Sequence, residues 1–462
     1  MSDLSIAATP IPGLLVISLD VRGDNRGWFK ENWQRRKMVD LGLPDFAPVQ
    51  NNVSFNTSAG ATRGIHAEPW DKLVSLAAGR IFGAWVDLRP GDGFGRSFTL
   101  EMGPETGVFV PRGVGNAFQT LVDGTAYSYL VNDHWSAAAR DSYTFVNLAD
   151  DDLAIRWPIP LAQAELSPSD RAHPRLSAVL PMAPRKQLIL GANGQLGRAL
   201  VAAFPDADAA TREQLDLSTR DAVAEFDFSP YETIINAAAY TKVDAAETDS
   251  GRRSAWAVNV HSVAALAASA REHRCTLVHV SSDYVFDGSV EIHDEAESFS
   301  PLGVYGQTKA AGDALVGSLP AHFVVRSSWV IGDGANFVRT MASLADRGVQ
   351  PSVVHDQHGR LTFTTELTRA ITHLLKAGAP YGTYNVSNAG RSMTWADIAR
   401  RVFVARSRPA SAITNVTTDQ YASGKNLAPR PRHSLLNLDK ITATGFESAD
   451  AEAELDRYLG QL

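Results

Sequence analysis

The residues from 186 to 200, KQLILGANGQLGRAL, constrain the fold of this chain more than any other stretch. A short apolar run, 188–190, ends at Gly191, and a turn with glycine at every third position leads into a helical pattern. In such a turn the first glycine allows a tight bend, the second lets the backbone approach a phosphate, and the third lets the helix pack closely on the strand. The N–H groups at the start of the helix then attract an anion. The pattern predicts a dinucleotide-binding domain that begins near the middle of the chain, with an ordinary glycine-rich loop as the alternative.

Length and composition set the class of protein. A chain of 462 residues is too long for one ordinary hydrophobic core, so two or three domains are expected. Its 44% hydrophobic and 20% charged residues are typical of a soluble globular protein, and its net charge of −8 gives no reason to expect a nucleic-acid partner. The single cysteine, Cys275, excludes an intramolecular disulfide and favours a reducing compartment. The N-terminus lacks the basic segment of a secretion signal and no apolar run is long enough to cross a bilayer, so we expect a cytoplasmic protein with no membrane partner.

The first third of the chain has the pattern of an all-β domain. Between about residues 14 and 157, short alternating segments are separated by glycine turns, as in 73–77 and 81–88. Such alternation with frequent turns is typical of an antiparallel sandwich or barrel. Residues 158–185 contain six prolines and break every regular pattern, which indicates the end of this domain and a linker. The predicted division is therefore 1–175, a linker at 176–185, and 186–462.

After residue 186, strands alternate with helices. The predicted buried strands are 233–236, 276–281 and 323–326. The helices predicted to cover them are 250–273, 307–318 and 336–347. This alternation predicts a doubly wound parallel sheet of the Rossmann type with right-handed crossovers. The mixed pattern after about residue 384 predicts a small lobe that faces the substrate.

Three polar side chains of this half suit carbonyl chemistry. Tyr305 and Lys309 lie four residues apart, so they share one face of a predicted helix. Ser282 follows a predicted strand, at the edge where open α/β sheets bind ligands. A lysine cation lowers the pKa of a nearby tyrosine, which suits the phenol to give a proton to a carbonyl oxygen as hydride arrives, while the serine hydroxyl holds that oxygen. The alternative is that Tyr305 and Lys309 are an ordinary pair on a helix surface and that Ser282 belongs to a turn at the end of a strand. We favour the catalytic interpretation.

Five segments of the C-terminal half resemble the dTDP-4-dehydrorhamnose reductase family of extended short-chain dehydrogenases: GANGQLG, NAAAYTKVDAAE, SSDYVFDG, SPLGVYGQTK and RSSWVIG. The resemblance covers essentially all of 186–462 and implies that Ser282, Tyr305 and Lys309 are catalytic, with Tyr305 as the proton donor. The implied cofactor-binding residues, besides Tyr305 and Lys309, are Gly191, Asn193, Gly194, Gln195, Leu196, Gly197, Ala237 and Ala238. The implied substrate-binding residues are Trp329, Asn336 and, at the nucleotide end, Arg430.

The choice of nicotinamide depends on Arg212. The second strand of the α/β domain is predicted to end beside it, without the acidic residue that binds the ribose of NAD. An arginine there can pair with a 2′-phosphate. We therefore predict that the cofactor is NADPH. The alternative is NADH, with Arg212 then being only a solvated arginine at the end of a strand. The sequence leaves open whether a divalent cation assists the reductase.

His66 is the candidate base of the N-terminal half. A single histidine in a β domain is often structural or a metal ligand, but no closely spaced second ligand follows it, so no metal site is predicted. Asp170 is available to orient the imidazole, Lys72 supplies a cation, and Tyr129 lies on an alternating strand. This set suits proton removal next to a ketone: His66 takes the proton, Lys72 stabilises the enolate oxygen and Tyr129 reprotonates the other face.

Five segments of this half resemble the dTDP-4-dehydrorhamnose 3,5-epimerase family, which are metal-free cupin-type jelly rolls: DNRGWFKE, PVQNNVS, RGIH, KLV and LSPSD. The resemblance spans about residues 12–175. It implies that His66 is the base, Asp170 its orienting acid, Lys72 the enolate-stabilising lysine and Tyr129 the phenol. The implied nucleotide and phosphate contacts are Arg26, Glu31, Gln50, Asn52 and Arg63. Because the family tends to dimerise through exchanged strands, we also expect a homodimer.

The N-terminal half departs from that family at three places. Asn116 stands where a histidine is usual, and Trp135 stands where a second aromatic is commonly tyrosine. The spacing from His66 to Lys72 is shorter than is usual. These departures bear on whether both carbons are epimerised.

The two halves together predict a bifunctional enzyme of dTDP-L-rhamnose synthesis. The β domain is predicted to invert C3 and C5 of a nucleotide-linked 4-keto-6-deoxy-hexose, and the α/β domain to reduce the C4 ketone with NADPH. Three alternatives remain: the same chemistry on a UDP-linked sugar, a non-catalytic regulatory role for the α/β half, and a β half that only binds the sugar nucleotide or holds a dimer together.

Overall fold

A computed structural model describes residues 4–219 and 221–462 and divides the chain into two units, with the boundary in the sequence between Pro184 and Arg185. Residues 1–3 of the predicted N-terminal domain lie outside the described residues. The stretch predicted as a linker, 176–185, belongs to the first unit as far as Pro184. Met182 is buried in the core of that unit, and its N–H donates to the carbonyl of Leu88 at 2.8 Å.

The first unit consists of two antiparallel sheets. One has the strand order β1-β2-β10-β7-β12-β5 and the other β13-β6-β11-β8-β9, while β3 and β4 form a separate hairpin. The strands are β1 Ser5–Ala8, β2 Leu15–Ser18, β3 Val21–Asp24, β4 Gly27–Lys30, β5 Gln50–Asn56, β6 Thr62–Ala67, β7 Lys72–Ala78, β8 Ile81–Asp87, β9 Ser97–Met102, β10 Thr106–Val110, β11 Val114–Thr120, β12 Thr125–Val131 and β13 Thr144–Phe145, and the helices are α1 Arg35–Asp40 and α2 Pro168–Arg171. The predicted all-β jelly roll is confirmed.

Alternation along the strands decides which side chains face the space between the two sheets. Val74 on β7 packs with Trp85 on β8 in the core between the sheets, whereas Leu73 packs on the outer side against α1. Ile65 on β6 packs on the outer side of the second sheet. Since neighbouring residues of a strand point to opposite faces, Lys72 and His66 face the interior.

The second unit is built around a parallel sheet with the strand order β15-β14-β16-β17-β19-β24. Its strands are β14 Lys186–Leu190, β15 Asp208–Ala210, β16 Tyr231–Asn236, β17 Thr276–Ser282, β18 Ile292–His293, β19 His322–Ser327, β20 Val330–Ile331, β21 Ser352–Val354, β22 His358–Gly359, β23 Thr362–Phe363, β24 Gly382–Asn385, β25 Met393–Thr394, β26 Thr414–Val416 and β27 Leu435–Leu436. The helices are α3 Gln195–Ala203, α4 Ala222–Glu225, α5 Asp249–Trp256, α6 Ser262–Glu272, α7 Val304–Val316, α8 Phe337–Asp346, α9 Thr364–Lys376, α10 Trp395–Ala405, α11 Thr418–Ala422, α12 Asp439–Thr442 and α13 Ala451–Leu459.

Helices cover both faces of this sheet, as the doubly wound prediction requires. Leu266 of α6 and Leu277 of β17 belong to the apolar core on one face, and Leu200 of α3 and Leu367 of α9 to the core on the other. The strand order reverses direction at β14, between β15 and β16, and ligands bind at the carboxyl ends of the strands beside such a switch point. None of the helices in the described ranges has the length and apolar character that spanning a bilayer requires.

Two features differ in detail from the sequence prediction. The helix predicted over 250–273 is divided into α5 and α6 by one π-helical turn, Ala257–His261. Asn259 in that turn is buried, and its amide hydrogen-bonds to the backbone of Tyr240 through both Oδ1 (2.8 Å) and Nδ2 (3.1 Å). The small lobe begins before residue 384, because Val338 and Met341 of α8 share its core with Val402 of α10.

Candidate active sites

The glycine turn after β14 packs closely against the neighbouring backbone and the start of α3. Gly191 has a φ of +76°, and a Cβ there would lie 2.8 Å from the nitrogen of Ala238. A Cβ on Gly197 would lie 2.1 Å from the carbonyl oxygen of Gly191, so this glycine allows α3 to pack against the turn. The backbone of the turn and the first residues of α3 form a cradle for an anion at the helix N-terminus.

This cradle opens into a cavity of about 620 Å³. Of the residues predicted from the sequence, those that line it are Gly191, Asn193, Gly194, Gln195, Leu196, Arg212, Ala237, Ala238, Ser282, Tyr305, Lys309 and Trp329. Within the described ranges, the lining does not include Gly197, Asn336 or Arg430. The fold thus brings the nucleotide-binding turn and the three predicted catalytic side chains into one cavity.

The three side chains have well-defined surroundings. Ser282 ends β17, and its Oγ accepts the N–H of Tyr284 at 3.2 Å and donates to Asp283 at 3.0 Å. Tyr305 and Lys309 both lie on α7, and the ring of Tyr284 packs edge-on against Tyr305 at 5.7 Å. The Nζ of Lys309, which is buried, donates to the carbonyl of Val280 at 2.8 Å.

The prediction that Lys309 lowers the pKa of Tyr305 is wrong for this structure. Burial raises the pKa of Tyr305 to about 12, and the hydrogen bond with Ser282 opposes that rise without cancelling it. A phenol whose pKa is raised stays protonated near neutral pH, which suits a proton donor. Burial also lowers the pKa of Lys309 to about 8, against the opposing charge of Asp313.

Trp329 forms one wall of the cavity together with a residue that the sequence did not indicate. Its ring stacks on Trp395 of α10 at 3.8 Å. Asn336, predicted to approach the substrate, instead caps α8: its Oδ1 accepts the N–H of Arg339 at 3.0 Å, and its Nδ2 donates to the carbonyl of Gly332 at 2.9 Å. A structural role for Asn336 explains its absence from the lining.

Arg430 lines a second, more apolar cavity of about 250 Å³ that shares Trp395 with the first. Its guanidinium is held by both carboxylate oxygens of Asp244, each at 2.9 Å, and by the carbonyl of Ala428. Arg212 lines the first cavity. Its side chain is 78% exposed, and its guanidinium lies 3.3 Å from Asp216 and 3.2 Å from Ser218. Its guanidinium is therefore accessible to a ligand.

In the N-terminal unit, His66 is paired with an acid from a distant part of the chain. The Nε2 of His66 lies 2.9 Å from Oδ1 of Asp170, and the Oγ of Ser167 donates to the other carboxylate oxygen at 2.9 Å. Burial raises the pKa of Asp170, but the hydrogen bonds from His66 and Ser167 outweigh it and leave the pKa below its usual value. Asp170 is therefore a carboxylate that holds the imidazole through one ring nitrogen.

Lys72 and Tyr129 lie on adjacent strands of the opposite sheet. The Nζ of Lys72 lies 5.5 Å from the ring of Tyr129 and forms a buried ion pair with Glu68 at 2.6 Å. The indole N–H of Trp70 donates to the same carboxylate at 2.6 Å. Burial raises the pKa of Tyr129, and the negative charge of Glu68 raises it further. Tyr129 is thus a protonated phenol beside a cation.

The predicted nucleotide contacts fall into two groups. Gln50 and Asn52 on β5 are hydrogen-bonded to each other at 2.8 Å, and Asn52 lies opposite Tyr129. Arg63 donates to Asn56 at 3.2 Å, and its charge acts on the phenol of Tyr129. In contrast, Arg26 is 84% exposed and pairs with Asp24 on the β3–β4 hairpin, and Glu31 pairs with Lys37 of α1.

One group of side chains among the described residues has the spacing of metal ligands: His66, Asp170 and His173 offer ligand atoms within 4.8 Å of one another. The rings of His66 and His173 lie 5.2 Å apart, and Phe145 stacks on His173 at 4.7 Å. The sequence did not indicate His173, because it lies 107 residues beyond His66. The prediction of a metal-free site stays a prediction.

Two family profiles match the chain: dTDP-4-dehydrorhamnose 3,5-epimerase over residues 8–178 and RmlD substrate binding domain over residues 185–462. The protein RmlC homolog of Streptococcus pyogenes serotype M6 is 51% identical over 180 residues, which is 38% of this chain and 90% of that protein. The dTDP-4-dehydrorhamnose reductase of Aggregatibacter actinomycetemcomitans is 36% identical over 289 residues, which is 58% of this chain and 96% of that protein. The dTDP-4-dehydrorhamnose reductase of Bacillus anthracis, solved in complex with NADP, is 32% identical, covers 60% of this chain and 100% of its own, and has a TM-score of 0.56.

This chain belongs to both families. Its N-terminal unit is a dTDP-4-dehydrorhamnose 3,5-epimerase domain and its C-terminal unit is a dTDP-4-dehydrorhamnose reductase domain. The protein is therefore an isomerase fused to an oxidoreductase, as predicted.

Two of the three departures from the epimerase family are substituted residues, Asn116 and Trp135, and the structure shows their contacts. Asn116 is the cross-strand neighbour of His66, and its Nδ2 donates to the hydroxyl of buried Tyr127 at 3.0 Å. Because Tyr127 lies on the other sheet, this pair joins the two sheets beside the base. Trp135 is 59% exposed, and its backbone N–H donates to Gln50 at 3.1 Å.

Sequence reasoning missed several residues of both sites. Glu68 pairs with Lys72, Trp70 donates to Glu68, and Asp283 accepts from Ser282. Each lies close in sequence to a residue that was identified, but no local pattern shows where its side chain points. His279, in the middle of the apolar strand β17, did carry a signal, because a polar residue inside a buried parallel strand needs a specific partner.

Proposed function

We propose that this protein converts dTDP-4-dehydro-6-deoxy-D-glucose into dTDP-L-rhamnose in two consecutive reactions, one in each domain. The observation that supports the proposal most directly is that the predicted side chains lie together in each domain: His66 contacts Asp170, and Ser282, Tyr305 and Lys309 line one cavity. A ketone at C4 makes the hydrogens on C3 and C5 acidic and is itself the group that is reduced. The single cysteine agrees with a reaction in the reducing cytoplasm.

In the epimerase domain, His66 takes the proton from the carbon next to the ketone while Asp170 holds the imidazole and balances its charge. Lys72 stabilises the negative oxygen of the enolate. Tyr129, protonated because its pKa is raised, gives a proton to the opposite face of the same carbon. The net result is inversion of that carbon with no change in composition. Exchange with solvent then removes the proton from His66 and returns one to Tyr129, so that the same steps can be repeated at the second carbon.

In the reductase domain, the residues present fit a nicotinamide dinucleotide: the turn at Gly191 and the first residues of α3 line the cavity, and the N–H groups at a helix N-terminus attract a phosphate. When bound, NADPH supplies the hydride. Ser282 holds the C4 oxygen, and Tyr305 gives it a proton as the carbonyl becomes an alcohol. Trp329 and Trp395 provide an apolar wall for the sugar, and Arg430 lies beside a cavity of a size that suits the nucleotide base.

Replacing Arg212 with alanine is expected to raise the KM for NADPH about tenfold, with little change in the KM for NADH. The physical reason is that the exposed guanidinium pairs with the 2′-phosphate, which NADH lacks. Steady-state kinetics with both cofactors measure the effect. Arg185→Ala, in the same domain, is the control, since its guanidinium contacts the backbone of His273. An equal rise in the KM for NADPH and for NADH would contradict a role of Arg212 in recognising the 2′-phosphate.

The complete chain with dTDP-4-dehydro-6-deoxy-D-glucose and NADPH is expected to yield dTDP-L-rhamnose, identified by NMR. The variant His66→Asn should yield no L-rhamnose, and adding it to the variant Tyr305→Phe should restore the product, because each supplies the active domain that the other lacks. A parallel assay with the UDP-linked sugar identifies the preferred carrier. Consumption of NADPH without inversion at C3 and C5 would indicate that the β domain is only a binding module, and no consumption at all would contradict the proposal.

The predicted homodimer is retained as part of the proposal. Val53 and Phe55 on the edge strand β5 are 64% and 65% exposed, and Phe29 on the β3–β4 hairpin is 67% exposed. An exposed apolar edge strand favours pairing with another chain. Arg26 and Glu31 lie on or next to that hairpin, so a second copy is the most direct way for them to reach a nucleotide. Sedimentation analysis of the full chain tests this expectation.

A further inference from the structure

Lys309 lies beside a buried histidine that has no role in the proposed reaction. His279 is in the middle of β17, and its Nε2 lies 3.3 Å from the Nζ of Lys309. Gly312 of α7 lies beside the ring: a Cβ there would be 3.4 Å from that Nε2 and 2.7 Å from the carbonyl oxygen of Asn259. On the other side of the ring, Nδ1 lies 3.2 Å from the Nδ2 of Asn236, which ends β16.

The orientation of Asn236 fixes which nitrogen of His279 carries the proton. The backbone N–H of Ala238 can only donate, and it donates to Oδ1 of Asn236 at 3.1 Å. The amide therefore presents Nδ2, which is also a donor, to His279. The Nδ1 of His279 must then accept, so the single proton of the neutral imidazole lies on Nε2 and points at Lys309.

An N–H that points at Lys309 favours one form of that side chain. An ammonium group has no lone pair and cannot accept from Nε2–H, whereas a neutral amine can accept from it and still donate to the carbonyl of Val280 at 2.8 Å. We propose that His279 is a positioning residue that holds Lys309 through Nε2–H and thereby makes this lysine release its proton more easily.

The other charged groups around the pair are few. Lys309 faces Tyr305 and Asp313 from α7, and Arg326 of β19 pairs with Asp313 at 3.0 Å. Asp283, which follows β17, acts on Tyr305. The Asp313 carboxylate favours the charged form of Lys309, so it opposes the effect of His279. Burial, and then the charge of Lys309, keep the pKa of His279 well below its usual value, which agrees with a neutral ring.

The inference rests on the proposed reduction, because the pH dependence of that reaction is its functional readout. If the charged form of Lys309 supports catalysis, kcat/KM falls as pH rises past the point at which Lys309 loses its proton. Two substitutions place an acceptor in front of Lys309. In His279→Gln, the oxygen of the glutamine side chain can accept a hydrogen bond from the ammonium group of Lys309. In Asn236→Asp, the carboxylate accepts from the N–H of Ala238 and from Nδ1–H of His279. The proton of His279 then lies on Nδ1, so Nε2 can accept from Lys309.

We expect both variants to move the alkaline fall of kcat/KM upward by about one pH unit or more. The control is His373→Gln, a histidine of α9 that bonds to Thr444 at 2.9 Å; it should leave the profile unchanged. If kcat/KM of both variants falls at the same pH as that of the wild type and only the rate is lower, His279 merely fills space and the proposal is overturned.

Nitrogen-15 NMR of His279 in the full-length wild-type chain tests the same point without turnover or variants. The expected result is a neutral ring protonated at Nε2, and a ring protonated at Nδ1 would overturn the inference. If the chain reduced no keto sugar, the proposed function would fail while this measurement would still decide the arrangement of His279 and Lys309.

Discussion

Replacing Tyr305 with phenylalanine is expected to lower kcat for reduction of the 4-keto sugar nucleotide by about 10³-fold. The phenol is the group that gives a proton to the C4 oxygen, and burial keeps it protonated by raising its pKa to about 12. Phenylalanine keeps the ring that packs against Tyr284, so the cavity should keep its shape. The measurement is the rate of NADPH oxidation with the epimerised ketone as substrate.

The matched control is Tyr231→Phe, which removes a hydroxyl bonded to Asp208 in the same domain. This variant should reduce the ketone at the wild-type rate, and both variants should bind NADPH as the wild type does. Retention of more than about a tenth of the wild-type kcat by Tyr305→Phe would mean that another group or water supplies the proton.

Replacing His66 with asparagine is expected to lower the exchange of solvent deuterium into C3 and C5 by about 10³-fold or more, measured without NADPH. Asp170→Asn is expected to lower the same exchange by about 10² to 10⁴-fold, because a neutral amide cannot balance the positive charge of the protonated imidazole. The affected contact is the one between Nε2 of His66 and the carboxylate of Asp170, at 2.9 Å. NMR or mass spectrometry of the recovered sugar nucleotide measures the exchange at each carbon.

His134→Asn is the control for this pair, since His134 is an exposed histidine of the same domain. All three variants should still reduce the epimerised ketone at the wild-type rate, which shows that the reductase domain is intact. If the wild-type chain exchanges deuterium at only one carbon, the loss of the second epimerisation would be assigned to Asn116, whose amide is bonded to Tyr127. Wild-type exchange in His66→Asn would contradict the assignment of the base.

Residues close in sequence could be assigned without the structure. Tyr305 and Lys309 share a helix face because a helix repeats every 3.6 residues, and Gly191 marks a turn because the conformation is local. The pair formed by His66 and Asp170, 104 residues apart, was suggested by the chemical types of the two side chains and by resemblance to a family, because no local spacing brings them together. Asn336 shows the limit of such carry-over, because it caps α8, whereas Gly197 has the packing role that the spacing of the glycines predicts.

The sequence by itself determined the two domains, their fold classes and the chemical types of their catalytic side chains, because periodicity, turns and short motifs depend on neighbouring residues. Only the tertiary structure decided the surroundings of those side chains: the pairing of Lys72 with Glu68, the contact of His279 with Lys309 and the raised pKa of Tyr305. The physical reason is that burial and hydrogen bonding at each site come from segments far apart in the chain. A protonation state therefore depends on the packing of several strands and helices, which no single stretch of sequence contains.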